Sequence, residues 1–175
     1  GDSTASARPQ RALYVNAWAF GSSRFDRLVA LADTTEINAL VIDVKDDTGF
    51  LTYRSTVPTA IAIGANDSLR ARDAAKRVAR LKEHGIRAIA RIVVAKDPLL
   101  ARKKPEWAIV KEDGSLWTDR KGTAWVDAFH DSVWVYAAQL AREAAALGFE
   151  EIQYDYVRFP DEPKSRMATA IYRFR

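Results

Sequence analysis

Four short apolar runs rich in branched or aromatic residues recur along the chain, and each leads into a charged or polar end. Runs of this length and composition, bounded by polar residues, are typical of β-strands. They cover residues 12–18, 39–47, 86–97 and 151–159. The sequence therefore predicts four strands, each with polar side chains at its carboxyl end.

Between these strands, apolar residues recur at intervals of three and four, the spacing of amphipathic helices. The patterns cover residues 25–32, 74–85 and 131–148, and a further helix start is predicted within residues 165–175. The third pattern begins at the candidate N-cap Asp131 and stops at a glycine. Alternating strands and helices predict a parallel sheet with right-handed crossovers.

Two architectures fit this order, a doubly wound sheet and a (β/α)₈ barrel. The first strand-to-helix turn, WAFGSSRF, has no glycine-rich phosphate fingerprint, which disfavours a dinucleotide-binding sheet. In the second strand, the apolar positions 40, 42 and 44 share one face, whereas Asp43 and Lys45 share the other. Directed into a barrel, Asp43, Lys45, Arg91 and Asp155 would neutralise one another near its mouth. The presence of polar side chains on one shared face of the strands therefore favours the barrel.

A complete barrel of this type needs eight strand and helix units in roughly 250 residues. This sequence has 175 residues and four such units. We therefore expect a flexible segment at residues 1–11 and the N-terminal half of a TIM barrel at residues 12–175. The half is either a piece of a longer barrel or a unit that associates with a second copy of itself.

The composition excludes several kinds of chemistry but does not by itself select a function. The chain is 48% hydrophobic and 29% charged, the balance of a globular protein. Its net charge of +4 is weak evidence for an acidic partner, so no nucleic-acid partner is predicted. The absence of cysteine excludes disulfides, thiol catalysis and cysteine-ligated metals. No run approaches the ~20 apolar residues of a membrane span, and no cofactor is predicted.

Long stretches of the sequence resemble a known family. The segment from ALYVNAW to VIDVKDDTGFLTY, the segment WVDAFHDSVWVY and the motif EIQYDYVRFP are similar to a bacterial family of glycoside-hydrolase domains with a TIM-barrel fold. The similarity extends from Leu13 to Pro160, and VIDVKDD and EIQYDYVRFP are its most specific parts. One departure is Ala128, where the family often has proline after the aspartate.

The resemblance implies hydrolysis of a glycosidic bond in an extracellular or cell-envelope polysaccharide. Asp155 stands where related barrels place an acidic residue at the end of the fourth strand, and Asp43 and Asp46 occupy the polar end of the second. Such hydrolysis generally needs two carboxyl groups. A nearby arginine, Arg91 or Arg158, would keep Asp155 ionised, which suits a nucleophile or base.

Several alternatives stay open at this stage. The general acid could be Asp43, Asp46 or Asp161, or could lie outside the four units. The same charges could instead form a structural ion-pair network at the barrel centre. The stretch KDDTGFLTY has carboxylates and a glycine but lacks the twelve-residue spacing of an EF-hand, so no metal site is predicted. A non-catalytic glycan-binding or envelope-scaffold domain is the main alternative to the enzyme.

The long third loop, residues 96–131, supplies candidates for substrate binding. Tryptophan faces stack well on flat apolar ligand surfaces, and long loops at a barrel mouth often form the cleft. The predicted substrate contacts are Trp18, Trp117, Trp125, Asp127, Lys45, Arg91 and Arg158. Trp107 and Trp134 are expected to pack in the core, and His130 to be a surface or capping residue.

Overall fold

Four parallel strands form one sheet, in the order in which they occur along the chain. The computed structural model describes residues 9–175. The strands are β1 (Ala12–Val15), β2 (Ala39–Lys45), β3 (Arg87–Val93) and β4 (Glu151–Asp155). Each strand pairs with its sequence neighbour, so consecutive strands lie side by side. Within the described residues, β1 and β4 each have one paired edge and one open edge.

Helices connect the strands and cover one face of the sheet. They are α1 (Ala17–Gly21), α2 (Arg24–Asp33), α3 (Pro58–Ala62), α4 (Ala74–Glu83), α5 (Pro98–Lys103), α6 (Asp131–Leu147) and α7 (Lys164–Met167). The strand positions 40, 42, 44, 88, 90 and 92 are buried in the main core together with the apolar stripes of α2, α4 and α6. This is the face that the alternation in the sequence predicted.

The architecture is the first half of a TIM-type barrel, as the sequence predicted. The opposite face of the sheet carries Tyr14, Asp43, Arg91 and Asp155, and these side chains meet one another. Because successive residues of a strand point to opposite sides, the face that lacks helices collects the polar positions. This face corresponds to the interior of the barrel.

The long loop after β3 forms a small core of its own. Ala95, Ile109, Trp117 and Trp125 are buried together, apart from the main core. Two tight antiparallel turns build this loop, one across Val110 and Leu116 and the other across Thr118 and Ala124. The loop is therefore an ordered unit packed on the carboxyl-terminal side of the sheet.

The N-terminal cap of α6 and the N-terminal segment of the chain were both the subject of predictions. The side chain that caps α6 is His130, whose Nδ1 accepts a hydrogen bond from the Ser132 amide at 3.0 Å, so the prediction of Asp131 as the cap was wrong by one residue. Residues 1–8 of the predicted flexible segment lie outside the described residues. Pro9 and Arg11 both hydrogen-bond to Asn38 at the start of β2.

Candidate active site

Four polar side chains from four neighbouring strands form one cluster near the carboxyl ends of the strands. The Tyr14 hydroxyl of β1 donates a hydrogen bond to Asp43 Oδ2 of β2. The Arg91 guanidinium of β3 donates to Asp43 Oδ1 at 2.7 Å. It also donates to Asp155 Oδ2 of β4 at 2.8 and 3.0 Å. This end of the sheet is where barrel enzymes carry their sites.

Arg91 joins two carboxylates and lies between two aromatic rings. Its guanidinium carbon is 5.6 Å from the centre of the Tyr14 ring and 6.0 Å from that of Tyr156. Although burial alone would lower it, the pKa of Arg91 is raised by the hydrogen bonds that its guanidinium donates to both aspartates and by their negative charges. The arginine is therefore a fixed cation that holds Asp43 and Asp155 on either side of it.

The two carboxyl groups differ in environment. Asp43 is almost fully buried, and this desolvation raises its pKa even though Tyr14 and Arg91 hydrogen-bond to it. Asp155 is 46% exposed. Although its partial burial acts in the other direction, hydrogen bonds from Arg91 and the Tyr156 amide lower its pKa. The site thus pushes the two aspartate pKa values apart.

The backbone directly after Asp155 is strained. Tyr156 has a φ of 52°, in the left-handed region that non-glycine residues seldom adopt. Its amide donates to Asp155 Oδ1 at 2.8 Å. Strain of this kind costs of the order of 1–3 kcal/mol and clusters at functional sites. Here it holds both oxygens of Asp155 in hydrogen bonds at the mouth of the sheet.

Lys45 lies away from this cluster, contrary to the prediction that it contacts substrate. Its Nζ lies 2.6 Å from Asp97 Oδ2, and both side chains are buried, with 2% and 0% exposed. The register of β2 against β3 shifts between Asp43 and Lys45. This irregularity breaks the alternation, and Lys45 packs over the Tyr136 ring of α6. A side chain so enclosed cannot touch a glycan.

Asp46 is also separate from the carboxylate pair. Its Oδ1 accepts hydrogen bonds from the amide and hydroxyl of Thr48, and its Oδ2 lies 3.4 Å from Arg70. These contacts are typical of an Asx turn with an added ion pair. The structure therefore places Asp46 in the loop after β2 and not beside Arg91, so the prediction of a catalytic Asp46 gains no geometric support.

The tryptophans that are buried are not the ones that the sequence analysis expected to be buried. Trp117 and Trp125 are buried in the small core, where their indole N–H groups donate to the Arg166 carbonyl and to Asp119. They pack as core residues because the loop folds on itself, and the structure gives no support to the prediction that they line a cleft. Trp18 is 61% exposed, and Trp107 and Trp134 are partly buried against the main core.

Of the remaining candidates, Asp127 is buried and Arg158 is exposed. Asp127 accepts hydrogen bonds from the amides of Phe129 and Phe174, which makes it a loop anchor without access to substrate. Arg158 lies on the wall of an apolar cavity of about 370 Å³ and has no hydrogen bond or ion pair among the described residues. The structure does not bring Arg158 to Asp155.

The described residues, 9–175, offer neither a metal site nor a membrane-spanning helix. No group of three or more histidine, aspartate or glutamate side chains is arranged to hold a metal ion within that range. No helix of the described part of the chain is long and apolar enough to cross a membrane.

Comparison with known proteins identifies the family. A family model described as "Putative glycosyl hydrolase domain" matches residues 12–173. The chain belongs to this family. A comparison with curated proteins gives no match. The segments VIDVKDD and EIQYDYVRFP, which carry the resemblance in the sequence, contain Asp43 and Asp155, and both of these side chains bond to Arg91.

Solved structures support the same fold. A hypothetical protein from Ruminiclostridium thermocellum ATCC 27405 is 36% identical, with a TM-score of 0.81 over 93% of this chain and 82% of that one. A maltogenic α-amylase from Thermotoga neapolitana is 20% identical, with a TM-score of 0.56 over 90% and 41% of the two chains. The β-N-acetylhexosaminidase of Streptomyces coelicolor A3(2) is 14% identical, with a TM-score of 0.61 over 93% and 36%. This chain therefore spans less than half of either glycosidase.

Some residues of the site were missed in the sequence. Tyr14 has the same parity on β1 as Asn16 and Trp18, so the alternation rule alone would have placed it on the polar face. Tyr156 could not be found this way, because its left-handed backbone breaks the alternation. Arg70 and Asp97 lie in loops, where the sequence carries no periodic signal.

Proposed function

We propose that this glycosyl hydrolase domain acts on an extracellular or cell-envelope polysaccharide and hydrolyses a glycosidic bond, with Asp155 as nucleophile or base. The observation that supports this most directly is the pair Asp43 and Asp155, held at the barrel mouth by Arg91 with their pKa values pushed apart. A pair of carboxyl groups with divergent pKa values is the arrangement that divides acid and base roles.

Asp155 takes the ionised role because its environment favours the charged form. Its side chain is partly exposed on the open face, where a sugar ring can approach. Asp43 takes the protonatable role, since burial favours its neutral form. The exposed residue Tyr14 donates a hydrogen bond from its hydroxyl to Asp43, and this contact links the buried carboxyl to the open face of the sheet.

The test compares Asp155→Asn with the unchanged chain on a panel of polysaccharides, including xylan, carboxymethylcellulose, glycol chitin and soluble starch. Release of reducing ends is measured. We expect a loss of about 100-fold or more, because a positioned acid or base contributes roughly 10²–10⁴-fold. Asp33→Asn is the matched control, since Asp33 ends α2 on the other side of the sheet and bonds to His84. Equal activity of Asp155→Asn and the unchanged chain would overturn the proposal.

The alternative is a non-catalytic glycan-binding or envelope-scaffold domain. One observation favours it: Arg91 already satisfies both carboxylates, as it would in a structural ion-pair network. The same variant separates the two functions. A scaffold would bind polysaccharide without releasing reducing ends, and binding would largely survive in Asp155→Asn, measured by affinity electrophoresis in gels that contain each polysaccharide.

A further inference from the structure

Trp18 is the most exposed of the large apolar side chains that the structure describes, with 61% of its surface accessible. It lies on α1, the short helix that follows β1, and α1 begins at Asn16, whose side chain caps it. The helix therefore presents an indole on the same side of the molecule as the carboxyl ends of the strands.

A buried arginine packs against one face of the indole. The guanidinium carbon of Arg70 lies 5.1 Å from the centre of the Trp18 ring and 5.6 Å from that of Phe50. Only 3% of the Arg70 side chain is exposed. Its Nη2 lies 3.4 Å from Asp46 Oδ2 and 3.4 Å from the Thr48 hydroxyl. The arginine is thus enclosed by two aromatic rings and one carboxylate.

Burying the Arg70 guanidinium beside Trp18 has an energetic cost. Nε and Nη1 of Arg70 are buried and have no hydrogen-bond partner among residues 9–175. A buried donor without a partner costs about 1–3 kcal/mol, and contact with aromatic faces recovers only part of that. The arrangement fixes the orientation of the indole, leaving its other face toward solvent. Rigid aromatic side chains with one free face are suited to binding flat apolar surfaces.

We call Trp18 and the Arg70 side chain stacked against it the platform. Its location and charge limit the kinds of ligand that it can bind. Asp46, which interacts with the Arg70 that contacts Trp18, directly follows β2, the strand that carries Asp43. The platform therefore lies beside the carboxylate pair without being part of it. Its local charge is balanced, because Arg70 is paired with Asp46. This favours a neutral ring with an apolar face over an anionic one.

We propose that Trp18 is a stacking subsite for a neutral pyranose unit of an oligosaccharide, and that Arg70 is the positioning residue that holds the indole in place. The choice of a glycan as ligand rests on the proposed function. The subsite is separate from the cluster of Tyr14, Asp43, Arg91 and Asp155, so a ligand chain that occupies both would extend from the platform across the mouth of the sheet.

The experiment uses Trp18 as its own reporter. Of the five tryptophans, Trp117 and Trp125 are buried and Trp107 and Trp134 are partly buried, so quenching of fluorescence by acrylamide chiefly reports Trp18. Cellohexaose, maltohexaose, chitohexaose and xylohexaose are the probes. We expect at least one to protect the fluorescence from acrylamide. Trp18→Ala should weaken binding of that probe by about tenfold, in line with the contribution of a good aromatic contact.

Matched variants separate positioning from folding. Ile61→Ala removes an equally exposed apolar side chain, 60% accessible on α3, and should leave binding unchanged. Arg70→Lys keeps a charge for Asp46 but loses the planar stack, so acrylamide quenching of free Trp18 should increase and affinity should fall. Trp18→Phe should recover part of the affinity lost in Trp18→Ala.

The outcomes distinguish this proposal from the proposed function. Binding that depends on Trp18 without any hydrolysis would support the subsite and overturn the enzyme. Hydrolysis with equal affinities in Trp18→Ala and the unchanged chain would overturn the subsite and leave the enzyme. Failure of all four hexasaccharides to protect Trp18 would also overturn the subsite.

Discussion

At the scale of single residues, the opposite environments of Asp43 and Asp155 have a measurable consequence. Carbon-13 NMR titration of the aspartate carboxyl groups should give Asp155 a midpoint below the ordinary value of about 3.9 and Asp43 a midpoint above it. Arg91→Met should raise the Asp155 midpoint, because the hydrogen bonds that favour its ionised form are lost. Arg87→Met, at the other end of β3, is the control and should leave it unchanged.

The signs of the stability effects follow from these directions. The lowered pKa of Asp155 means that its contribution to stability is present above about pH 3.9 and is lost as the pH falls through its folded-state pKa. The raised pKa of Asp43 acts oppositely, and its contribution is lost as the pH rises through its folded-state pKa. Coincident midpoints for the two carboxyls would contradict the described geometry.

At the scale of elements, the Lys45 and Asp97 pair connects the end of β2 to the start of α5. Asp97 also caps α5, with its Oδ1 accepting from the Leu100 amide at 3.0 Å. Lys45→Met should lower the free energy of unfolding by about 3–5 kcal/mol, because it leaves a buried carboxylate without its partner. Urea denaturation measures this loss.

A double variant tests the cause of that loss. Lys45→Met with Asp97→Asn should recover part of the stability, since asparagine keeps an oxygen for the Leu100 amide and carries no charge. The exposed Lys82→Met on α4 should change stability by less than about 0.5 kcal/mol. A Lys45→Met variant as stable as Lys82→Met would show that the buried pair contributes nothing.

The strands and loops also show which side-chain positions could be predicted from the sequence. Alternation in β2 and β3 correctly assigned Asp43 and Arg91 to one face and Ile42 to the other. It failed at Lys45, because a shift in strand register is a tertiary feature without a signature in the hydrophobic pattern. The prediction for Trp117 and Trp125 rested instead on their place in a long loop, and the structure buries both side chains. Whether a loop tryptophan is buried depends on the loop packing on itself, which composition alone does not encode.

At the scale of the whole molecule, the sheet has a protected centre and two open sides. β2 and β3 are paired on both edges, whereas β1 and β4 have one open edge each in the described residues. Amide hydrogen exchange should therefore be slowest in β2 and β3, with faster exchange in β1 and β4. Uniform protection across all four strands in a dilute sample would contradict this gradient.

The same experiment addresses self-association, one of the two alternatives that the sequence leaves open for a half-barrel. If a second copy pairs its β1 with the open edge of β4, protection of both edge strands should increase with protein concentration while β2 and β3 stay constant. Parallel sheets seldom leave a face uncovered, which favours such pairing. Edge exchange that is independent of concentration would exclude it.

The open edges have an evolutionary consequence as well. β1 and β4 run in the same direction, and each lacks a neighbour on its outer side within residues 9–175. The unit can therefore be continued by repetition of itself, since a second β1 placed after β4 extends the sheet with the same polarity. Two such units placed edge to edge would supply eight parallel strands, the number in a TIM barrel. Each copy would bring its own arginine-bridged aspartates, and later divergence could keep the chemistry in one and discard it in the other.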